Sequence, residues 1–173
     1  MSSARSAHTF VAIDFETANR YPNSACAIGL VRVENRRIVA KREHLIRPPF
    51  RTFEFTSIHG ITWEQVADAM TFGQLWPSIH AFVAGAQFLA AHNAPFDRGV
   101  LRACCAWYDV QPPDVPFACS CRLARRTWSL PRYNLATVAS HLGIGLRHHD
   151  ALSDAEACAG IILAGYANLE LEA

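Results

Sequence analysis

Asp14 and Glu16 stand two residues apart at the end of the apolar run Phe10-Val11-Ala12-Ile13. On a strand, side chains at i and i+2 share a face, so the two carboxylates are presented side by side. Like charges held a few ångströms apart repel, and one takes up a proton unless a cation lies between them. A hard divalent ion with oxygen ligands fits such a pair, Mg²⁺ or Mn²⁺ first. Taken alone, the pair is also what a strand running out into solvent looks like. Asp97 follows an apolar stretch and a turn, near the start of a helix, where the dipole by itself favours an acid. The third group is His148-His149-Asp150-Ala151-Leu152-Ser153-Asp154. Asp154 falls about one turn into a closing helix and His149 in the loop before it, so an imidazole and a carboxylate can approach one point from different directions. A capped helix with a solvated acid and a surface histidine has the same local pattern. Four carboxylates can hold two divalent ions about 4 Å apart, an arrangement that stabilises both the attacking water and the leaving oxygen in phosphodiester hydrolysis. A loop histidine, with an ordinary pKa of about 6.5, can take the proton from that water near neutral pH.

The elements that must position these groups follow from periodicity and turn chemistry. Residues 10–17 read as a buried central strand, 25–33 as a second strand, and 38–46 as a third after the polar turn Glu34-Asn35-Arg36-Arg37. Together they predict a three-stranded meander with the carboxylates at the end of its first strand. Thr62 with Gln65 predicts a capped short helix over 63–69, and residues 72–84 carry apolar side chains at helical spacing up to Gly85. A strand over 87–91, a helix over 96–108, a short edge strand over 117–120 and a helix over 121–128 follow. Asn134 is expected to cap a helix ending at Gly143, and an alanine-rich helix over 150–169 closes the chain. Asp150 reads as a first-turn helix acid. Strand and helix alternate from residue 87 onward, which points to an α/β domain with a mixed sheet.

The 173 residues, 51% hydrophobic and 18% charged, suit one globular domain with a full-sized core. We expect a flexible leader over 1–9, a single domain over 10–169 and a tail over 170–173. No apolar run approaches the roughly 18 residues that a bilayer span requires. Residues 1–9 lack the hydrophobic segment of a secretory signal. The six cysteines form no C-x-x-C pair and read as reduced, mostly buried thiols in a cytoplasmic protein. Net charge is +1, so any basic footprint for nucleic acid must be local. Arg122, Arg125, Arg126 and Arg132 are the one such excess, readable as a phosphate-tracking surface or as a solvated helix face.

The order D-x-E, then D, then H-x-x-x-x-D resembles the DEDDh 3′–5′ exonucleases, the family that contains the proofreading epsilon subunit of bacterial DNA polymerase III. Asp14-Phe15-Glu16-Thr17 is similar to its first motif, His92-Asn93-Ala94-Pro95-Phe96-Asp97 to its second, and His149 through Asp154 to its third. Ser57-Ile58-His59-Gly60-Ile61-Thr62 resembles the family segment that lines the substrate cleft. The resemblance runs from about Phe10 to Ala164 and implies an α/β, RNase H-like (exonuclease) fold, expected as a central mixed five-stranded β-sheet flanked by α-helices. It implies two divalent ions, Mg²⁺ or Mn²⁺, held by Asp14, Glu16, Asp97 and Asp154, with His149 as general base. Phe15, Thr17, His59, Ile61, Asn93 and Phe96 would bind the terminal nucleotides. The implied partner is the 3′ end of single-stranded DNA, or of RNA, released stepwise as nucleoside 5′-monophosphates, with DNA repair as a setting. A ribonuclease with the same site, or an idle nucleic-acid-binding domain that keeps the fold, are the alternatives. The stretch after the closing helix is too short for the docking tail of the polymerase subunit, so a free-standing monomer or homodimer is expected.

Overall fold

The computed structural model describes residues 9–172. The expected leader, but for Thr9, and Ala173 of the expected tail lie outside the described residues. A six-stranded sheet runs in the order β3-β2-β1-β4-β5-β6, with β1 Phe10–Thr17, β2 Ala25–Glu34, β3 Arg37–Leu45, β4 Phe88–Ala91, β5 Phe117–Cys119 and β6 Leu171–Glu172. The helices are α1 Thr56–His59, α2 Trp63–Val66, α3 Phe72–Val83, α4 Ala94–Trp107, α5 Ser120–Thr127, α6 Leu135–His141 and α7 Ala151–Gly165. The expected meander is present: β1 pairs antiparallel with β2, and β2 with β3. β1 also pairs in parallel with β4, and β4 with β5, which makes the sheet mixed.

β1 sits near the middle of the sheet because both of its faces are apolar. Val11, Ile13 and Phe15 pack with Phe72, Trp76, Ile79, Val100 and Leu101 of α3 and α4. Phe10 and Ala12 pack on the opposite face with Ala155, Cys158, Ala159 and Ile162 of α7. Asp14 and Glu16 continue that second face, so the strand's alternation aims both carboxylates toward the start of α7. α7 is in turn covered by Ala124 of α5 and Leu135, Val138 and Ala139 of α6, which pack on Ala157 and Ile161. A helix buried on opposite sides is apolar nearly all round, and its small residues let the layers close.

Two differences from the expected elements have physical causes. Where five strands are expected there are six, because Leu171–Glu172 pairs antiparallel with β5. The expected edge strand is therefore flanked on both sides. A two-residue strand has no periodicity to read, and Glu172 is drawn there by an ion pair with Arg122 of 2.8 Å. The long final helix stops at Gly165 and passes through a 3₁₀ turn, Tyr166–Asn168, which brings the chain back to the sheet. Five cysteines are buried and Cys121 is half-buried, all as free thiols. No helix among the described residues is long and apolar enough to cross a membrane.

The register places Asp14 opposite Gly29 of β2. A Cβ at residue 29 would lie 2.1 Å from the Ala151 carbonyl oxygen and 2.6 Å from the Leu152 nitrogen. Those are backbone atoms and cannot swing aside, so the missing side chain is what lets the first turn of α7 lie against β2 beside Asp14. Gly29→Ala should cost at least ~3 kcal/mol, the upper end of overpacking, and lower the melting temperature by about 6–12 °C in a chain of this size. Thermal unfolding checks this; a change below about 2 °C would mean that α7 is not seated there.

Candidate active site

Each acid is delivered by a different local device. Asp14 and Glu16 come from the alternation of β1. Asp97 comes from the turn after β4, where Asn93 adopts a left-handed conformation with φ 70° and α4 begins at once. The parallel pairing of β1 with β4 ends at Ala12↔Ala90, so the Phe15 N–H has no β4 strand partner. It donates instead to Asp97 Oδ1 at 2.9 Å, stitching α4 to the tip of β1. Asp150 caps α7 by accepting from the Ser153 N–H at 2.9 Å, and this fixes Asp154 in the first turn. Asp150 is thus the N-cap of α7, just outside the first turn in which it was expected, and Asp154 is the acid of that turn.

The structure brings three of the expected ligands to one point. Carboxylate oxygens of Asp14, Glu16 and Asp154 lie within 4.8 Å of one another, and His148, His149 and Asp154 form a second such group. Asp97 adjoins them through its bond to Phe15 and is 1% exposed. Asp154 Oδ2 accepts from His148 Nδ1 at 3.0 Å and from the His149 N–H at 3.2 Å. Asp154 Oδ1 is buried without a hydrogen-bond partner among the described residues. A buried orphan oxygen is costly unless something occupies it.

Burial is the main reason that all four carboxyls hold their protons above the ordinary range. For Asp14 the nearby Asp97, Asp154 and Glu16 push further in the same direction. Glu16 is driven from 4.5 to about 8 by burial and then by Asp154 and Asp150. Asp97 is raised by burial despite the opposing bonds from backbone N–H groups, and Asp154 is raised by burial despite its two histidine neighbours. The folded form therefore binds more protons than the unfolded chain between the ordinary carboxyl range and about pH 8, and stability falls as pH rises through that window. His59 and His92 are depressed by burial, so their opposite contribution is already complete above pH 6.5. In EDTA the melting temperature should drop between pH 6.5 and 8.5 by at least the 2–4 °C that ~1 kcal/mol represents, and excess Mn²⁺ should reverse the loss at pH 8.5. A flat profile from calorimetry would contradict the repulsion between these acids.

Two recesses open on the carboxylates. The first, about 300 Å³, is lined by Phe15, Thr17, Phe55, Ile58, His59 and Phe96 together with Asp14, Glu16, Asp154 and both loop histidines. Of the expected contact residues, Phe15, Thr17, His59 and Phe96 lie on it. His59 is held there by Nε2–H donating to the Thr17 carbonyl at 3.0 Å, while its Nδ1 accepts from the Ile61 N–H at 3.0 Å. Ile61 closes the turn behind His59, and Ile58, 51% exposed, takes the place on the wall expected for it. Asn93 lies instead in the second recess, about 440 Å³, with His92, Arg125, Tyr133 and Asn134. His92 and Asn93 of this second wall belong to the second motif and Arg125 to the basic segment, whereas nothing in the sequence singles out Tyr133.

Comparison with known proteins agrees with this geometry. The RNase T family model, described as an exonuclease, matches residues 11–162. The chain is 32% identical over 161 residues to exodeoxyribonuclease 10 of Escherichia coli K12, covering 87% of this chain and 66% of that protein. It is 32% identical over 159 residues to the PolC-type DNA polymerase III of Thermotoga maritima, covering 90% of this chain but only 12% of the polymerase. Among solved structures, exonuclease X in complex with 5′-overhanging duplex DNA superposes with a TM-score of 0.75 at 26% identity, over 91% of each chain. The nuclease domain of 3′hExo, a DEDDh member bound to rAMP, shares the fold with a TM-score of 0.83 at 19% identity over 99% of each chain. The architecture is thus that of the RNase H-like exonucleases. A match running from β1 through most of α7 makes this chain a member of the RNase T exonuclease family, nucleases of the DEDDh type that use divalent metal ions.

Proposed function

We propose that the protein is a metal-dependent 3′–5′ exonuclease that removes nucleoside 5′-monophosphates from single-stranded nucleic acid, DNA foremost. The observation that carries this reading is the meeting of Asp14, Glu16 and Asp154, whose carboxylate oxygens lie within 4.8 Å of one another, with Asp154 Oδ1 left without a hydrogen-bond partner among the described residues. The donor set is all oxygen and all potential anion, which fits two hard divalent ions, Mg²⁺ or Mn²⁺, held by Asp14, Glu16, Asp97 and Asp154. Ions held there would supply polarisation of the scissile phosphate and acidification of the attacking water.

The chain's own side chains do the rest. The terminal base enters the first recess, where Phe96, 47% exposed, and Ile58 offer apolar surface for stacking. Thr17 and the Phe15 backbone lie beside it. His149 takes the proton from water: it sits on the loop before α7 in a left-handed conformation with φ 66°. Its ring stacks on His148 with centroids 3.8 Å apart. His148 is the imidazole bonded to Asp154, which leaves the proton-carrying role to its neighbour.

The test is to offer single-stranded DNA and RNA oligomers labelled at the 5′ end, with Mg²⁺, Mn²⁺ or EDTA. We expect a ladder shortening from the 3′ end, mononucleotides as product, and no products in EDTA. Internal cuts, or release beginning at the 5′ end, would overturn the reading.

A further inference from the structure

The basic segment after β5 does not present a uniform charged face. Arg122 pairs with Glu172, and Arg126 with Glu170, on the side of α5 that faces β6. Arg125 borders the recess formed with those two pairs and also lines the second recess, with Asp14, Asn93, Asn134 and Asp154. Among the described residues that line the two recesses open on the carboxylates, Arg125 is the only lysine or arginine.

Its platform is fixed at several points. The Arg125 guanidinium lies over the Tyr133 ring, 5.2 Å from its centroid. The Tyr133 hydroxyl donates to the Trp128 carbonyl at 3.0 Å and accepts from the Leu130 N–H. The Tyr133 carbonyl accepts from His92 Nε2 at 2.9 Å, and His92 Nδ1 bonds the Ser120 hydroxyl at 2.8 Å. His92, placed in a family motif by sequence, thus ties the end of β4 to this wall. A guanidinium held over an aromatic ring still has N–H groups free to meet an anion. No carboxylate among the described residues pairs with it.

We propose that Arg125 on Tyr133 is a binding site for a backbone phosphate of the single strand, the one next to the scissile phosphate. This rests on the nuclease reading above. A strand whose terminal base fills the apolar recess and whose scissile phosphate meets the carboxylates has its next phosphate still to place. The second recess shares Asp14, His148 and Asp154 with the first and carries the fixed cation. Arg125 there offsets the repulsion between that phosphate and the acids.

The test is equilibrium binding, by fluorescence anisotropy, of a 5′-labelled single-stranded oligomer in EDTA across a salt series. Arg125→Ala should weaken binding about tenfold and reduce the slope of log affinity against log salt by about 0.7, one phosphate contact. Arg125→Lys should restore the slope, whereas Arg122→Ala and Arg126→Ala should change neither quantity. Wild-type affinity and slope in Arg125→Ala, equal losses in Arg122→Ala, or no binding by the wild type would overturn the site. Binding through Arg125 without cleavage in Mg²⁺ or Mn²⁺ would retire the nuclease reading and leave this site standing.

Discussion

Asp14→Asn should abolish nucleotide release while leaving the protein folded. Asp14 is the acid on which the other three act: Asp97, Asp154 and Glu16 each raise its proton affinity. Asparagine keeps the shape and removes the charge that draws a cation between them. The loss should exceed the ~10–100-fold that follows removal of an outer-shell partner of a metal ligand. The same substitution relieves like-charge repulsion, so in EDTA at pH 8.5 the variant should melt no lower than the wild type, and we expect it to melt higher. Rates of mononucleotide release and melting curves separate the two effects. A variant that degrades DNA as fast as wild type would remove Asp14 from the centre. A variant that loses activity because it unfolds would show Asp14 to be structural.

His149→Ala should cut the rate by about 10²–10⁴, the range for loss of a general base. The fall should lie in kcat, with affinity for Mn²⁺ kept, because His149 contributes its backbone N–H to Asp154 and alanine retains that bond. Loss of Mn²⁺ binding instead would place the imidazole among the ligands, as its closeness to Asp154 and His148 geometrically permits. Activity should return in part as pH rises and hydroxide becomes more abundant. Single-turnover rates across pH distinguish this from a folding defect.

Much of the site was legible because its devices are local. Alternation along β1 puts Asp14 and Glu16 on one face, and the spacing from His149 to Asp154 puts a loop imidazole one turn from a helix acid. The bonds and contacts that complete the site join residues far apart in sequence, and no short window shows them. Asp97 is a plain helix acid until the Phe15 N–H, 82 residues away, donates to it. Gly29 is one glycine in an apolar strand until Ala151 presses its carbonyl against the missing Cβ. The arginines after β5 read as a single basic stretch because Glu170 and Glu172, which neutralise two of them, lie beyond α7. The sixth strand escaped for the same reason: two residues carry no period, and only the sheet edge beside β5 gives them a place.

The cleft wall shows a related limit. Sequence placed Ile61 on it by analogy with a motif, whereas one helical turn, Thr56–His59, rotates Ile58 outward and turns Ile61 to hold His59. Which residue of a short apolar pair faces the ligand depends on the turn, and Gly60 sets that turn with φ 77°.

Asp14, Glu16, Asp97 and Asp154, three of them buried and Asp14 half-buried, are proposed to hold two divalent ions. Titration of Mn²⁺ into the purified protein, read as bound ions per chain by electron paramagnetic resonance, tests this most directly. We expect two ions for the wild type, fewer for Asp14→Asn and Asp154→Asn, and two for His149→Ala. One ion or none in the wild type, or two in Asp14→Asn, would contradict it.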